Sequence, residues 1–359
     1  MAITAEKRIR VLVVDDSPTF LAIIKDILRK FKSIEDLCFV SSGIEAIEKT
    51  RSFDPHLIFM DLMMPGISGL EALAKIRERN ANVDVVIISG AAEDAAQLTI
   101  EAIKQGALDF VAKPVTRSLE EMEDYFLARL SPFIRRAAYK QVCLTADAAS
   151  LAPTYTPVEV QKPKEGFPGE VKLVVVGVST GAPNTLPSLV SSLPADLPVP
   201  VLALVDVPKV FLRFLGRLLL TSSAISISEA KEGDRLSPSR ILVAPSTSAI
   251  QVVPDGDVLT LRLSEVAGQT QLLDKLLFSV ADALPAGCLT AVMSGFGTDG
   301  SEGVTRLRNT GDHYCLVQSP ESCTAPDRPS LIIDNELADE VVSLENMGRR
   351  ITELAKKSK

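Results

Sequence analysis

The 359-residue sequence contains no tryptophan, only two histidines and only five cysteines. The cysteines are scattered and form no Cys-x-x-Cys motif, so neither a zinc site nor a disulfide framework is predicted. This usage is typical of a reducing compartment, and we expect a cytoplasmic protein. The five residues are Cys38, Cys143, Cys288, Cys315 and Cys323.

Long apolar runs and an excess of positive charge are also missing. No run approaches the roughly 20 apolar residues of a membrane-spanning helix, and no apolar signal core precedes the first predicted strand. The formal net charge is −8, which argues against a nucleic-acid-binding output domain, because such a domain shows a basic stripe. We therefore expect neither membrane insertion nor a nucleic-acid partner.

Length and composition predict two domains. Hydrophobic residues make up 46% of the chain, which is enough for substantial cores. Residues 150–169 contain four prolines and two glycines without periodicity, which is typical of a linker. We predict a first domain over 8–130, a helix end and proline-rich linker over 131–170, and a second domain over 171–350. The linker is interpreted either as a docking tether or as a passive spacer.

Several strands of the first domain end in polar side chains. Asp15 and Asp16 follow the first predicted strand, and Asp61 ends a buried apolar run. Ser89 and Lys113 follow two later strands. The chain alternates strand and helix five times here, which predicts an α/β domain built on a doubly wound parallel sheet.

These side chains are expected to share a pocket, because ligands of such sheets sit at the carboxyl ends of the strands. Three clustered carboxylates repel one another and need a cation, and oxygen ligands favour Mg²⁺. The metal would let Asp61 attack a phosphoryl group, while Ser89 and Lys113 hold its oxygens. Taken alone, Asp16 is better interpreted as a helix cap, and the others as a loop acid, a turn residue and a solvated charge.

With these motifs, residues 8–130 resemble a response-regulator receiver domain, which implies a flavodoxin-like fold and a sensor histidine kinase as phosphodonor. The resemblance implies an Mg²⁺ site with three side-chain ligands and one backbone ligand, Asp15, Asp16, Asp61 and Met63. It makes Asp61 the phosphoacceptor and gives switch or phosphoryl-binding roles to Ser89, Phe110 and Lys113. It also implies a cis peptide bond between Lys113 and Pro114.

The second domain again alternates apolar strands with helices, which predicts another doubly wound parallel sheet. A hairpin is predicted around Pro254-Asp255-Gly256-Asp257. The other strands are predicted over 173–176, 199–205, 224–230, 240–244, 288–293 and 314–317. Helices are predicted after Gly181 and over 209–220, 270–283, 301–309 and 343–357.

Residues 177–181, Gly-Val-Ser-Thr-Gly, form a Gly-x-Ser-x-Gly pattern between a predicted strand and a predicted helix. A tight turn here would expose the Ser179 hydroxyl beside backbone N–H groups that can hold an oxyanion. An ordinary helix N-cap at Ser179 is the alternative. A dinucleotide site is disfavoured, because Gly-x-Gly-x-x-Gly is absent even though Asp206 ends the following strand.

Residues 172–345 resemble the catalytic domain of the chemotaxis protein-glutamate methylesterases. The order of receiver, linker and esterase matches that family along nearly the whole chain. The resemblance implies a serine hydrolase with Ser179 as nucleophile, Asp299 as the aspartate of the triad and Phe296 at an oxyanion-side position. It also implies chemoreceptors or other signalling proteins as partners.

The histidine of the triad is where the sequence departs from the family. The family's Gln-His-Met-Pro segment corresponds to Val205-Asp206-Val207-Pro208, so Asp206 stands at the usual histidine position. An imidazole takes up and returns a proton near neutral pH, whereas a carboxylate with a reference pKa of about 3.9 does both poorly. Loss of the histidine from a serine triad costs on the order of 10⁶ in turnover.

Three functions are therefore left open. The favoured one is a phosphorylation-controlled signalling protein whose methylesterase-like domain is impaired in catalysis and used for binding or regulation. The second is a working protein-glutamate methylesterase or glutamine deamidase with unusual catalysis. The third is a metal-dependent hydrolase that uses Asp206, Asp299 and Ser179.

Overall fold

A computed structural model describes residues 8–90, 92–114, 118–145, 169–245, 248–265 and 271–357. The chain divides into two compact units, residues 1–156 and 157–359. Most of the predicted linker, residues 146–168, lies outside the described residues, so its interpretation as tether or spacer stays a prediction.

The first unit is built on a five-stranded sheet in the order β2-β1-β3-β4-β5, in which every neighbouring pair is parallel. The strands are β1 (Ile9–Val14), β2 (Ile34–Val40), β3 (Leu57–Met60), β4 (Asp84–Ser89) and β5 (Asp109–Ala112). The helices are α1 (Pro18–Leu28), α2 (Gly43–Phe53), α3 (Gly69–Arg79), α4 (Glu93–Lys104) and α5 (Leu119–Thr145).

Alternation along the strands explains why helices cover both faces of this sheet. In β3, Leu57 and Phe59 pack into one buried cluster with side chains of α1 and α5. Ile58 and Met60 point the other way, into a cluster with side chains of α2, α3 and α4. A strand that is buried on both faces has a continuous run of apolar residues, and the sequence of β3 shows such a run.

The second unit contains a seven-stranded parallel sheet in the order β14-β13-β12-β6-β7-β9-β8 and an antiparallel hairpin. The sheet strands are β6 (Leu173–Val178), β7 (Val201–Val205), β8 (Ser226–Glu229), β9 (Arg240–Pro245), β12 (Cys288–Val292), β13 (His313–Gln318) and β14 (Glu340–Val342). The hairpin strands are β10 (Ser248–Asp255) and β11 (Val258–Glu265).

Helices alternate with these strands, and the predicted fold class of two parallel-sheet α/β domains is confirmed. The helices are α6 (Ala182–Ser191), α7 (Lys209–Ser222), α8 (Leu272–Ala283), α9 (Ser301–Thr310), α10 (Asp327–Asp334) and α11 (Leu344–Lys357), with a 3₁₀ turn at Pro320–Ser322. Sequence patterns predicted neither α10 nor β14. Within the described ranges, no helix has both the length and the apolar character needed to cross a membrane.

In both sheets the strand order reverses at one point. The chain runs outward from β1 to β2 on one side and from β3 through β5 on the other. In the second sheet it forms β6 through β9 on one side, where β9 lies between β7 and β8, and β12 through β14 on the other. Connections leave such a point in opposite directions and open a crevice at the carboxyl ends of the strands. The strands next to these two points are β1 and β3 in the first sheet and β6 and β12 in the second, and the predicted residues Asp15, Asp61, Ser179 and Asp299 follow them.

His313, at the start of β13, is a buried histidine with a structural environment. It is 8% exposed, and its Nε2 lies 2.9 Å from Thr290 Oγ1 on β12. Burial lowers the pKa of His313 to about 4, although the negative charge of Asp339 partly offsets this effect. The folded state therefore resists protonation, whereas the unfolded chain takes up a proton below a pH of about 6.5.

We expect His313 to make the second unit less stable as the pH falls. The contribution of neutral His313 to the free energy of unfolding is fully present above the unfolded pKa, and it is lost as the pH falls from about 6.5 to about 4. Between pH 7.5 and pH 5 the free energy of unfolding should fall by about 2 kcal/mol for this reason. Chemical denaturation at both pH values measures this, and His313→Gln should lose less stability than wild type by about that amount. An identical loss in both proteins would show that His313 is not responsible.

Candidate functional site

Three carboxylates converge at the reversal point of the first sheet. Asp15 and Asp16 follow β1, and Asp61 follows β3. One oxygen from each carboxylate lies within 4.8 Å of the others. Asp15 and Asp61 are 1% and 8% exposed, whereas Asp16 faces solvent. The sequence placed these three residues together, and the structure does so too.

Lys113 neutralises part of this charge. Its Nζ donates to Asp15 Oδ2 at 2.6 Å and to Asp61 Oδ2 at 2.5 Å, and lies 4.4 Å from the centre of the Phe20 ring. Burial alone would lower the pKa of Lys113, but the hydrogen bonds to the two carboxylates outweigh it and raise the pKa. Burial also raises the pKa of Asp15, and the hydrogen bond from Lys113 partly offsets that.

The loop after β3 fixes the Asp61 carboxylate. The backbone N–H of Met63 donates to Asp61 Oδ1 at 2.9 Å, and the N–H of Gly69 donates to the carbonyl of Leu62 at 3.0 Å. A Cβ atom at position 69 would lie 2.1 Å from the Asp61 carbonyl oxygen, so only glycine fits where the loop closes. The carboxylate is thus oriented before any ligand arrives.

The cluster fits a hard divalent cation. Mg²⁺ prefers oxygen ligands and is usually held by one or two carboxylates together with water. Within the part of the chain that the structure describes, Asp15, Asp16 and Asp61 form the only group of three potential acidic, histidine or cysteine ligands. A metal-dependent hydrolase that uses Asp206, Asp299 and Ser179 stays a hypothesis.

The remaining predicted residues of this site belong to β4 and β5: Ser89 ends β4, Phe110 lies within β5, and Lys113 follows β5. Ser89 is fully buried, its Oγ lies 3.4 Å from the Ala95 carbonyl oxygen, and its own carbonyl accepts the Lys113 N–H at 2.7 Å. Phe110 is half-buried in β5. The resemblance implied a cis peptide bond between Lys113 and Pro114. This prediction was wrong, because the bond is trans. A trans X–Pro bond is favoured by about 0.5–1 kcal/mol unless its surroundings select cis.

Ser179 occupies the reversal point of the second sheet, directly after β6. Its backbone N–H donates to the Ser294 carbonyl at 2.9 Å, which ties the turn to the end of β12. Its Oγ accepts the backbone N–H of Phe296 at 3.2 Å. Gly181 has a φ of +93°, a conformation that glycine adopts without strain, and it starts α6. The predicted tight turn between strand and helix is present, but the predicted exposure of the hydroxyl was wrong, because Ser179 is only 4% exposed.

Asp206 ends the neighbouring strand. Val178 pairs with Val205 in the register of β6 and β7, and the Asp206 N–H donates to the Val178 carbonyl at 3.1 Å. Asp206 therefore stands beside the serine turn at the same edge of the sheet. Its side chain is half-buried.

Asp299 lies at the N-terminus of α8. Its Oδ2 accepts the N–H of Leu273 at 3.1 Å, and its Oδ1 accepts the N–H of Asp274 at 2.9 Å. In return, Asp274 Oδ1 accepts the N–H of Gly303 in α9 at 2.7 Å. Asp299 thus caps α8, and Asp274 in α8 accepts a hydrogen bond from the first turn of α9. Burial raises the pKa of Asp274, although the hydrogen bonds that its carboxylate accepts from backbone N–H groups partly offset this shift.

Arg328 is a candidate functional residue that the sequence analysis missed. It lies in the first turn of α10, is 6% exposed, and has its Nη2 3.9 Å from Asp299 Oδ2. A Cβ atom at Gly295 would lie 2.5 Å from Ser179 Oγ and 3.2 Å from Arg328 Nη1. The guanidinium and the serine hydroxyl therefore both pack closely against Gly295, and no side chain fits there. A lone arginine in an irregular stretch gives no signal in the sequence.

The second unit contains one histidine, His313, and it does not lie near Ser179. Cys288 pairs with both His313 and Leu173, so His313 is level with the start of β6. Ser179 follows the other end of β6, about 20 Å away along the strand. His56 belongs to the first unit, where its Nδ1 accepts the N–H of Arg10 at 3.1 Å. The second unit thus offers Ser179 no imidazole.

The Asp299 geometry gives a prediction about stability. We expect Asp299→Ala to destabilise the second unit by about 1–2 kcal/mol, because the first N–H groups of α8 lose their acceptor. The exposed Asp282→Ala is the matched control and should change the free energy of unfolding by less than about 0.5 kcal/mol. Denaturant titration measures both. An Asp299→Ala protein as stable as wild type would contradict the capping role.

Both units place polar side chains at the reversal point of a parallel sheet, and the first holds an acidic pocket closed by a lysine. This arrangement defines the class of response regulators. Two family models agree with it: a response regulator receiver domain matches residues 11–124, and a CheB methylesterase matches residues 174–351.

Comparison with known proteins specifies the family within that class. A protein-glutamate methylesterase/protein-glutamine glutaminase of Trichodesmium erythraeum is 30% identical over 348 residues, which cover 96% of this chain and 98% of that protein. A protein of the same name from Geobacillus kaustophilus is 30% identical over 97% of this chain and 99% of its own length. The chain belongs to this family of protein-glutamate methylesterases. The crystal structure of the Thermotoga maritima CheB methylesterase catalytic domain aligns with a TM-score of 0.49 at 23% identity, covering 52% of this chain and 99% of that chain.

Proposed function

We propose that the chain is a response regulator phosphorylated on Asp61, and that its second unit has little hydrolytic activity and is used for binding or regulation. The observation that supports this is the contrast between the two reversal points. The first brings together an acceptor carboxylate, a lysine and two further acids. The second holds a serine in a tight turn with a carboxylate, not an imidazole, at the end of the next strand.

The proposed phosphoryl transfer is supported by the hydrogen bond that already joins Lys113 to Asp61. Asp61 is the nucleophile, and Lys113 and Ser89 hold the oxygens of the transferred group. A bound Mg²⁺ would offset negative charge on the acceptor and the phosphoryl group, held by Asp15, Asp16, Asp61 and the backbone of Met63. Phe110 is the aromatic switch residue. The phosphodonor is a sensor histidine kinase.

The proposed impairment follows from Asp206 at the position where the family has its histidine. A general base should have a pKa near the working pH, and a carboxylate with a reference pKa of about 3.9 is far from it. Asp206 also adds negative charge to an edge that already holds Asp299, where an oxyanion would have to form. Ser179 then keeps an N–H donor from Phe296 but has no proton acceptor of suitable strength.

The proposed domain limits are 8–130 for the receiver, 131–170 for the helix end and linker, and 171–350 for the second domain. α5 continues to Thr145, which places the helix end inside the proposed linker range.

The proposed partners are chemoreceptors or other signalling proteins. We expect the binding surfaces for these partners on the second domain, because phosphoryl transfer is the proposed role of the receiver's pocket.

An active protein-glutamate methylesterase is the second candidate, and the names of the relatives favour it. In that case a group other than imidazole would activate Ser179. Methanol release from a methylated receptor-helix peptide decides between the candidates, measured with and without a small phosphodonor. We expect wild type and Ser179→Ala to give the same slow rate under both conditions. Turnover that disappears in Ser179→Ala would refute the impaired unit.

A further inference from the structure

The feature of the first unit that the proposed function leaves unused is the aromatic ring of Phe20. Lys113 Nζ lies over this ring, 4.4 Å from its centre. A cation within about 6 Å of the centre of an aromatic ring is attracted by the negative charge on the ring face. In the same unit, Lys25 Nζ lies 5.8 Å from the ring centre of Phe39, close to that limit. The contact between Lys113 and Phe20 is well inside the attractive range.

Contacts on two sides fix the position of Phe20. It lies in the first turn of α1, where its backbone N–H donates to the Oγ of Ser17, the N-cap residue, at 3.3 Å. Its ring meets the ring of Phe126 in α5 edge to face, with 5.7 Å between the ring centres. Phe126 is fully buried in the apolar cluster that joins the sheet to α1 and α5. The position of the Phe20 ring therefore does not depend on Lys113.

The ring attracts the Lys113 ammonium without occupying an oxygen of the pocket. A lysine ammonium has three N–H donors, and Asp15 and Asp61 accept hydrogen bonds from it. Both carboxylates are needed for other purposes, since Asp61 is the proposed acceptor and Asp15 a proposed metal ligand. The attraction to the Phe20 ring remains available when these oxygens take up their other partners.

This difference matters during the proposed transfer. An oxygen of Asp61 forms a bond to phosphorus, the bond between phosphorus and the oxygen of the leaving group breaks, and the leaving group departs with the bonding electron pair. Lys113 then has to donate to the phosphoryl oxygens in place of Asp61. The ring of Phe20 takes no part in these bond changes, so it attracts the ammonium throughout. A cation that is already held in place costs less reorganisation in the transition state.

We propose that Phe20 is a positioning residue for the phosphorylation of Asp61, because the face of its ring holds the Lys113 ammonium where the phosphoryl oxygens arrive. The inference rests on the proposed function, since it concerns the same transfer to Asp61. It requires the negative charge on the ring face and not only the volume of the side chain. A leucine fills similar space without that charge and therefore does not replace Phe20.

The test uses the full-length protein with fluorinated phenylalanine incorporated at position 20. Fluorine withdraws electrons from the ring face and weakens its attraction for a cation, whereas the shape of the ring changes little. The rate of labelling by acetyl phosphate and Mg²⁺ should fall stepwise with added fluorine, to about one fifth of the wild-type rate in the trifluorinated protein. Phe20→Leu should be slowed at least as much, and Phe20→Tyr, which keeps the ring face, should stay within about twofold of wild type.

Phe39 provides the matched control for fluorination. Its ring contacts a lysine of the same unit, Lys25, which is not among the residues proposed to hold the phosphoryl group. The same fluorinated residue at position 39 should leave the labelling rate unchanged. Denaturant titration of each protein measures any loss of stability separately from the loss of rate.

The outcomes separate this inference from the proposed function. Wild-type protein that is not labelled refutes the proposed phosphorylation itself. Normal labelling of the wild type at a rate that fluorination at position 20 leaves unchanged overturns the role of Phe20 and leaves phosphorylation of Asp61 standing. Slowing in Phe20→Leu alone would be an effect of packing and would also overturn that role, as would equal slowing by fluorination at position 39. The fluorinated proteins decide the matter even where Phe20→Leu fails to fold.

Discussion

Incubation with acetyl phosphate and Mg²⁺ is expected to add one phosphoryl group to the wild-type protein and none to Asp61→Asn. The amide keeps the shape of the carboxylate but is not a nucleophile, so labelling should fall to background. Lys113 would still pair with Asp15, which keeps the pocket folded. Intact mass spectrometry measures the added group, and chelation of the metal should prevent labelling of the wild type.

The matched control for this experiment is Asp36→Asn, an exposed aspartate of β2 that lies outside the acidic cluster. It removes the same charge from the same unit and should be labelled like wild type. Undiminished labelling of Asp61→Asn would mean that another carboxylate accepts the phosphoryl group. Labelling that persists after chelation would remove the basis for the metal site.

The second large effect is expected in ester hydrolysis. Under identical conditions, this protein should release methanol from a methylated receptor-helix peptide on the order of 10⁶ more slowly than an enzyme with a complete serine triad. The Trichodesmium erythraeum relative, named as a methylesterase, serves as the positive control. Ser179→Ala should be no slower than wild type, since a serine without a base contributes little.

The Asp206→His variant tests the proposed lack of a general base for Ser179 by adding one. It supplies an imidazole next to the serine turn and removes one negative charge from that edge of the sheet. We expect a small gain at most, because both oxygens of Asp299 already accept α8 N–H groups, and misplacement by about 1 Å costs roughly 10²-fold. Robust wild-type turnover that needs Ser179 would show that Asp206, or another group, acts as the base.

Sequence patterns predicted the fold of the first unit and the proximity of its candidate residues, because these residues lie where two strong local signals meet. Asp61 ends a run of apolar residues that must be buried on both faces, and Ser17 and Pro18 mark the start of α1 after the acid pair. Strand ends and helix starts are local features. Their common location at the edge of a parallel sheet then follows from topology alone.

The second unit was harder to predict where function depends on contacts between distant segments. β14 has only three residues, and α10 carries Pro329 inside a short, irregular stretch, so neither has a readable period. Arg328 packs against Gly295, as Ser179 does, only because α10 is tied to the loop after β12. The capping bonds from Asp299 to α8 likewise join segments more than 20 residues apart in the sequence.

The reversal of strand order at β6 has a consequence for how such a protein can change over generations. Residue 206 stands just past the last paired residue of β7, with its side chain half-buried and outside the apolar cores. A substitution between polar residues at such a place can change the chemistry of the crevice and leaves the packing that keeps the unit folded untouched. A lineage can therefore change what the crevice does while the fold of the unit stays the same.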